Sequence, residues 1–303
     1  MTFSRSLLLG LLLLGAWAPS SEASSNKKAT LGVFLPTTLA DGQQRFQYAE
    51  SLAARLSTAT GRPTAAKSFA RYEDFSKAVS EGIVDFAVVD SWAAVQLGAK
   101  ATPVALAPLS GETSQRWAIV SNARGSVKEL AGKRLAIVKG AGAADPRFVT
   151  NVVLAGDLDA KKNFKLTPVP NVESALKMLE ARGAEAALVP LALVPEGLKV
   201  LYRSTKVPGA VLVGMRGEAE DLTDNLKKLE PVAPFGAFVA MQGNELDDFR
   251  KTLQSGPARR QPVLVEAPAL HVETRAFMDP ASLQLVLPSF ADALEVSAEQ
   301  PDD

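Results

Sequence analysis

The sequence feature that most constrains the fold is a helix–glycine–acid–strand unit that occurs twice. In the first copy, Tyr72–Trp92, apolar residues recur at the spacing of one helical face, Gly82 follows the last turn, and Phe86–Val89 is a short apolar run. Glycine with a positive φ often ends a helix, and a short β-branched run is typical of a strand that is covered on both faces. We therefore predict an amphipathic helix followed by a buried strand of a parallel sheet.

The second copy lies about a hundred residues later, in Asn171–Pro190. Here we expect Gly183 to end the helix, Glu185 to correspond to Asp85, and Ala186–Val189 to form the buried strand. The second copy is one residue shorter between its glycine and its acid. Any two β–α–β segments share part of this pattern, but the matched order of helix, glycine, acid and strand favours two similar α/β lobes.

Flanking residues extend the same prediction. Asp41 is a suitable N-cap for a helix whose buried face is expected to include Phe46, and Gly61 is expected to end that helix. In the second lobe, Asp145 is a suitable N-cap with Pro146 at the first helical position.

Composition excludes several classes of function. The 303 residues contain 33 Lys plus Arg and 33 Asp plus Glu, so no basic surplus points to nucleic acid. The chain has no cysteine, which excludes disulfides and thiolate metal sites, and His271 is its single histidine. A two-histidine zinc site is therefore impossible, and no coherent nucleophile or metal cluster supports an enzyme. We expect a non-enzymatic protein without cofactor or metal.

The N-terminus resembles an export signal. Arg5 supplies positive charge, Leu7–Trp17 is a short apolar core, and Ser21 and Ala23 place small residues at the −3 and −1 positions of a cleavage site. The apolar core is too short to span a bilayer. We expect residues 1–23 to be a signal peptide and the mature protein to be soluble and periplasmic.

Several phrases in the chain resemble those of a known family. The first phrase is Gly82-Ile-Val-Asp-Phe-Ala, which resembles the "G-x-V-D-x-A" that precedes a binding loop. The second is Ser126-Val-Lys-Glu-Leu-Ala-Gly-Lys-Arg, which resembles the phrase before a second-lobe strand. The third is Tyr202-Arg-Ser with Val207-Pro-Gly, which resembles a return crossing between the lobes. Their order and spacing are similar to those of type 2 periplasmic solute-binding proteins of ABC importers, in the phosphate/phosphite/phosphonate branch. The resemblance covers about Leu31–Arg216.

This resemblance implies an α/β fold of two lobes, each a mixed, mostly parallel sheet flanked by helices, joined by two crossover strands. Lobe 1 would comprise residues 24–116 and 205–303, and lobe 2 would comprise residues 117–204. A small-molecule ligand would be held in the cleft, and the closed monomer would dock on an inner-membrane permease.

Candidate ligand-binding residues lie where strands end, because ligands of open α/β sheets bind outside the carboxyl ends of the strands. They are Pro36, Thr37, Thr38, Tyr72, Asp90, Ser91, Trp92, Gly140, Ala141, Gly142, Ala143, Asp145, Asn171 and Pro190. Tyr72 and Trp92 are either cleft walls or core residues. Asp90 is either a ligand acceptor or the cap of the next helix.

The second-lobe loop departs from the family pattern. Related proteins hold a phosphoryl group there with Ser and Thr hydroxyls and a helix N-terminus. The loop Gly140–Ala144 has no hydroxyl, and Asp145 places a carboxylate where the anion would sit. Pro190 replaces the usual acid, and Asn171 follows a proline where a histidine is common. The fold resemblance is therefore stronger than the ligand resemblance.

Two functions follow from the resemblance. The first is an exported protein that captures a small, anionic organophosphorus or related solute for an ABC importer. The second is a family relative without an import role, acting as a sensor input or protein-binding scaffold. The apolar second-lobe loop favours the second function.

Removal of the N-terminal signal is directly measurable. We expect the periplasmic protein to begin at Ser24, because the small residues around Ala23 fit a signal-peptidase site. Intact-mass spectrometry of the exported protein would show this, whereas soluble protein that retains Met1 would contradict it.

Overall fold

The computed structural model describes residues 28–256, apart from residues 40, 124, 140, 141 and 243. The strands are β1 (Ala29–Phe34), β2 (Thr64–Ser68), β3 (Phe86–Asp90), β4 (Ala101–Ala107), β5 (Ser114–Gln115), β6 (Trp117–Ser121), β7 (Lys133–Val138), β8 (Phe164–Val169), β9 (Ala186–Pro190), β10 (Lys199–Arg203), β11 (Val207–Pro208), β12 (Ala210–Met215) and β13 (Val239–Ala240). The α-helices are α1 (Gly42–Thr60), α2 (Tyr72–Ser80), α3 (Ser91–Leu97), α4 (Ala160–Asn163), α5 (Val172–Glu180), α6 (Ala219–Asn225) and α7 (Glu245–Ser255).

The strands form two sheets and a short ribbon. The first sheet has the order β13-β4-β12-β3-β1-β2, and the second has the order β10-β6-β9-β7-β8. In each sheet three strands are parallel, β2-β1-β3 and β8-β7-β9, and the next strand, β12 or β6, runs antiparallel. The predicted α/β fold class, two mixed sheets with helices, is thereby confirmed, with four parallel and five antiparallel strand pairs in the two sheets.

The chain passes between the sheets twice. It leaves the first sheet after β4, and it returns after β10. On these passages β5 and β11 pair antiparallel, with Val207 opposite Gln115 and Pro208 opposite Ser114. The two crossings are therefore linked to each other by backbone hydrogen bonds between the sheets.

The repeated unit occupies matching places in the two sheets. Asp85 Oδ2 accepts a hydrogen bond from the backbone N–H of Thr30, at 2.8 Å, just before β3 pairs with β1. Glu185 Oε2 accepts one from the N–H of Arg134, also at 2.8 Å, just before β9 pairs with β7. The correspondence of Glu185 with Asp85 is confirmed, because each acid fixes the start of the same parallel pair.

One detail of the repeat was predicted wrongly. Gly82 has a φ of 72°, as expected, but in the second unit the left-handed residue is Arg182, with a φ of 56°, and not Gly183. Gly82 and Arg182 both lie three residues before the acid. Because the acid must reach the neighbouring strand, this spacing is kept, and Arg182 adopts a conformation that usually costs a side-chain-bearing residue about 1–2 kcal/mol.

Helix α1 begins and ends as predicted, but its buried face differs. Asp41 Oδ1 accepts from Gln44 N at 2.9 Å, and Gly61 ends the helix with a φ of 72°. Phe46 is 54% exposed and does not belong to the core. The buried stripe instead includes Arg45, whose Nη1 donates to the carbonyl of Leu39 at 2.8 Å. The buried side chain at this end of the helix is therefore that of Arg45, and not the ring of the neighbouring Phe46 that periodicity predicted.

The core of the first repeat centres on Phe75 of α2. Its ring is fully buried, stacks on Phe34 of β1 at 5.8 Å and meets Phe69 edge-on at 5.4 Å. These contacts hold α2 against the parallel strands and so fix the position of β3, which follows.

Replacing Phe75 with alanine should strongly destabilise the protein. We expect Phe75→Ala to lower the free energy of unfolding by about 3–5 kcal/mol, because a large cavity replaces the ring contacts with Phe34 and Phe69. Phe46→Ala is the matched control and should change it by less than about 0.5 kcal/mol. Urea denaturation followed by circular dichroism measures both, and equal losses in the two variants would contradict this assignment of the core.

Candidate functional site

A cavity of about 590 Å³ lies between the carboxyl ends of strands from both sheets. Its walls come from the ends of β1, β3 and β9, from the crossing segments, and from the loop before β13. The lining residues are Leu35, Thr37, Thr38, Asp90, Ala107, Leu109, Ser110, Glu112, Ser114, Gln115, Arg116, Pro190, Leu191, Ala192, Leu193, Lys206, Gly209, Ala210, Pro234 and Phe235. Most of this wall is apolar, and the volume suits a small organic molecule.

Four of the candidate residues line this cavity. Thr37 and Thr38 follow β1, Asp90 ends β3, and Pro190 ends β9. Their neighbours Pro36 and Ser91 are buried but are not part of the cavity wall. Strand ends were therefore the informative signal, as expected for an open α/β sheet.

The other candidates lie elsewhere. Asn171 caps α5, where its Oδ1 accepts from Ser174 N at 2.8 Å, and Ala143 is fully buried. Gly140 and Ala141 lie outside the described residues.

Tyr72 and Trp92 form an aromatic pair beside the cavity. Their rings meet edge-on with centroids 4.9 Å apart. The indole lies directly against the second-lobe loop, because a Cβ at Gly142 would be 2.8 Å from Trp92 Cγ. Gly142 also has a φ of 74°. Only glycine fits both this contact and this backbone conformation.

The same indole hydrogen-bonds the acid of the second-lobe loop. Trp92 Nε1 donates to Asp145 Oδ2 at 3.2 Å, and Arg147 donates to Asp145 from its backbone N at 2.9 Å and from Nη2 at 3.0 Å. The backbone bond is the capping interaction predicted for Asp145, at the start of a helical stretch, 146–153, that continues as the π-helix Phe148–Val153. Burial favours the neutral acid, but the hydrogen bonds from Arg147 and Trp92 outweigh it and lower the pKa of Asp145. A charged carboxylate and an indole therefore lie at this loop.

Asp90 both caps a helix and forms part of the cavity wall. Its Oδ1 accepts from Ala93 N at 2.7 Å at the start of α3. Its Oδ2 is covered and has no hydrogen-bond partner among the described residues, and the residue is only 7% exposed. Burial raises the pKa of Asp90 to about 7, although the backbone N–H groups of Ala93 and Trp92 act in the opposite direction.

The crossing segments supply the charges that the sequence analysis missed. Lys206 pairs with Glu112 at 2.9 Å, and Arg116 Nη1 donates to the carbonyl of Ser204 at 3.1 Å. These residues lie in irregular stretches next to β5 and β11, and no motif marks them. The available signal was the prediction that the chain passes between lobes there.

The comparisons place this architecture in a family. The family described as the periplasmic substrate-binding protein of phosphonate ABC transporters matches residues 35–230, which is more than half of the chain. The chain therefore belongs to this family of periplasmic substrate-binding proteins. No curated protein matches it by sequence.

Solved structures share the fold at low sequence identity. A Xanthomonas citri protein bound to ATP is 14% identical with a TM-score of 0.61, covering 75% of this chain and 97% of that one. A binding-protein component of a phosphonate ABC transporter from Pseudomonas aeruginosa is 15% identical with a TM-score of 0.59, covering 74% and 85%. PhnD1 of Prochlorococcus marinus, in complex with methylphosphonate, is 11% identical with a TM-score of 0.57, covering 75% and 97%.

Within the described part of the chain, no helix has the length and apolar character needed to cross a membrane.

The raised pKa of Asp90 predicts a pH-dependent stability. Its ordinary value is 3.8 and its folded value is about 7, so the folded protein binds this proton more tightly than the unfolded chain does. The contribution of Asp90 is fully present below about pH 4 and is lost as the pH rises to about 7. Asp90→Asn does not titrate and retains a good N-cap.

We therefore expect the free energy of unfolding of Asp90→Asn, relative to the parent protein, to increase by about 2–4 kcal/mol between about pH 4 and pH 7. Urea denaturation at a series of pH values measures this difference, in which the other carboxyl groups cancel. A difference that does not vary with pH would show that Asp90 has an ordinary pKa.

Proposed function

We propose that this protein is the solute receptor of an ABC importer. It captures a small solute in the 590 Å³ cavity and delivers it to a permease in the inner membrane. The observation that carries this proposal is that the cavity is lined by strand ends of both sheets and by both crossing segments. A solute in such a place contacts every part that moves when a hinge closes.

The division into lobes is part of the proposal. Residues 24–116 with 205–303 would form one lobe and residues 117–204 the other, hinged at the ribbon of β5 and β11. The pairing of these two strands supports the hinge position. Helix α7 belongs by sequence to the first lobe, yet Asn151 of the second donates to the carbonyl of Leu253 at 2.8 Å. Because this hydrogen bond joins the two proposed lobes, a hinge motion would either keep it intact or break it.

The contacts with the solute would come from strand ends of both sheets and from the crossing segments. We assign them to Thr37, Thr38, Asp90 and Pro190, together with the crossing segments. The second-lobe loop would contribute little, because Trp92 lies against Gly142 and donates to Asp145. The candidates Pro36, Ser91, Tyr72, Ala143 and Asn171 would support these elements, and Gly140 and Ala141 stay predictions.

The class of solute does not follow from the fold. The family resemblance predicts an anionic organophosphorus or related compound, and the structural neighbours named above were solved with ligands as different as ATP and methylphosphonate. In this chain Asp145 would repel an anion at the second-lobe loop. A solute held mainly by its organic part suits the apolar cavity wall better.

A second candidate is a relative that no longer imports a solute and acts as a sensor input or scaffold. The Trp92–Asp145 hydrogen bond favours it, because this bond links the two sheets through side chains of the protein alone. In either case we propose an exported, periplasmic protein whose signal peptide, residues 1–23, lies outside the described residues.

Filling part of the cavity should weaken solute binding. Ala192 is an exposed residue of the cavity wall, so Ala192→Trp adds bulk there without disturbing the core. For a solute found in a calorimetric screen of phosphonates, sulfonates and amines, we expect about a five- to hundred-fold loss of affinity.

The matched control is Ala181→Trp, at an exposed alanine outside this cavity. It should bind like the parent protein. Small-angle scattering of the parent should also show a smaller radius of gyration with solute than without. Unchanged affinity in Ala192→Trp would place the binding site elsewhere, and an unchanged radius would favour the scaffold function.

A further inference from the structure

Asp90 is a buried acid of the cavity wall, and the donors near its carboxylate are backbone N–H groups at the start of α3. Oδ1 caps α3, and Oδ2 has no hydrogen-bond partner within the described residues. A covered carboxylate oxygen without a donor is energetically costly, and native structures rarely keep one without a reason. A helix cap alone does not explain it, because the exposed Asp41 caps α1 equally well.

Two of the other charges of the cavity wall neutralise each other, and the third, Arg116, has a neutral partner and keeps its charge. Lys206 and Glu112 neutralise each other at 2.9 Å, and Arg116 donates to the carbonyl of Ser204. Tyr72 is not part of the cavity wall, and its pKa is raised by burial and, to a lesser extent, by the charge of Asp90. Of the described acids that line the cavity, Asp90 is the one without a cationic partner.

The rest of the wall is suited to an apolar group. Leu109, Leu191 and Phe235 contribute to a surface that is mostly hydrocarbon, and Leu193 is 44% exposed in this protein. An exposed leucine at the edge of a cavity gains from being covered. A ligand that matches this site therefore carries one positive hydrogen-bond donor on an apolar body.

We propose that the cavity binds a small organic ammonium compound, with its N–H groups donating to Asp90 and its apolar part lying against the leucine and phenylalanine side chains. This inference rests on the proposed function as a solute receptor, and it names the class of solute. It also defines Asp90 as the residue that determines specificity, by charge rather than by shape.

Three probes with the same ring test the charge requirement. Benzylamine, benzyl alcohol and benzoate share a phenyl group and differ in carrying an ammonium, a hydroxyl or a carboxylate. Calorimetry on the whole mature protein at about pH 8, where Asp90 is ionised, should show binding of benzylamine and at least about ten-fold weaker binding of the other two. Equal binding of benzyl alcohol, preferred binding of benzoate, or no binding of benzylamine would each overturn the proposal.

A matched pair of variants tests the residue. Asp90→Asn keeps the helix cap but removes the charge, and we expect it to weaken benzylamine binding by about thirty-fold or more. Asp41→Asn makes the same change at a cap outside the cavity and should leave binding unchanged. Equal affinities of Asp90→Asn and the parent protein would overturn the assignment, even if benzylamine binds.

The outcomes separate this inference from the proposed function. If methylphosphonate binds in a manner that Ala192→Trp disrupts and benzylamine does not bind, the receptor function stands and the ammonium class is wrong. If benzylamine binds through Asp90 but scattering shows no contraction, the ligand class stands and the receptor mechanism fails.

Discussion

The positions of two site residues, Asp90 and Pro190, depend on one interaction that occurs in both sheets. A carboxylate just before the last parallel strand accepts the backbone N–H of the neighbouring strand, Asp85 from Thr30 and Glu185 from Arg134. A one-residue slip would turn every side chain of a strand to the opposite face. By fixing the register at the start of β3 and β9, these acids fix where Asp90 and Pro190 emerge at the other end, five residues later in each strand.

The second-lobe loop shows how side chains can change a site while the fold stays the same. The resemblance to the family predicts that an anion binds at this loop. Here Trp92 lies against Gly142 and donates to Asp145, which also accepts the backbone N–H of Arg147. The cavity is lined instead by strand ends and by the crossing segments, and neither ring of the aromatic pair belongs to its wall. Family membership and ligand class are therefore separate questions for this chain.

The sequence was sufficient to predict the elements and the strand ends, because both depend on local patterns. The helix α2, the strand β3 and the capping by Asp41 follow from periodicity and from residue type within a few positions. The same reasoning failed for Phe46 and Gly183, where tertiary contacts decided. Arg45 found a carbonyl partner that no pattern reveals, and the reach of Glu185 moved the left-handed residue to Arg182. The part of the cavity wall that Arg116 and Lys206 form was not predicted, because the crossing segments are too short to show a helical or strand pattern of apolar residues.

In the proposed hinge mechanism, the burial of Asp90 would link ligand binding to the closing of the cleft. In an open cleft, water would hydrate this carboxylate and its pKa would lie nearer to the ordinary value. Closing the lobes would remove that water, and the charged form would then lack a partner for Oδ2. A ligand with a positive donor would supply the partner, so the contact that selects the ligand would also favour the closed state. Without ligand, the Trp92–Asp145 contact favours closure while the ionised Asp90 opposes it. The balance between Asp90 and Trp92, two positions apart in the chain, would set how strongly the proposed hinge responds to a solute.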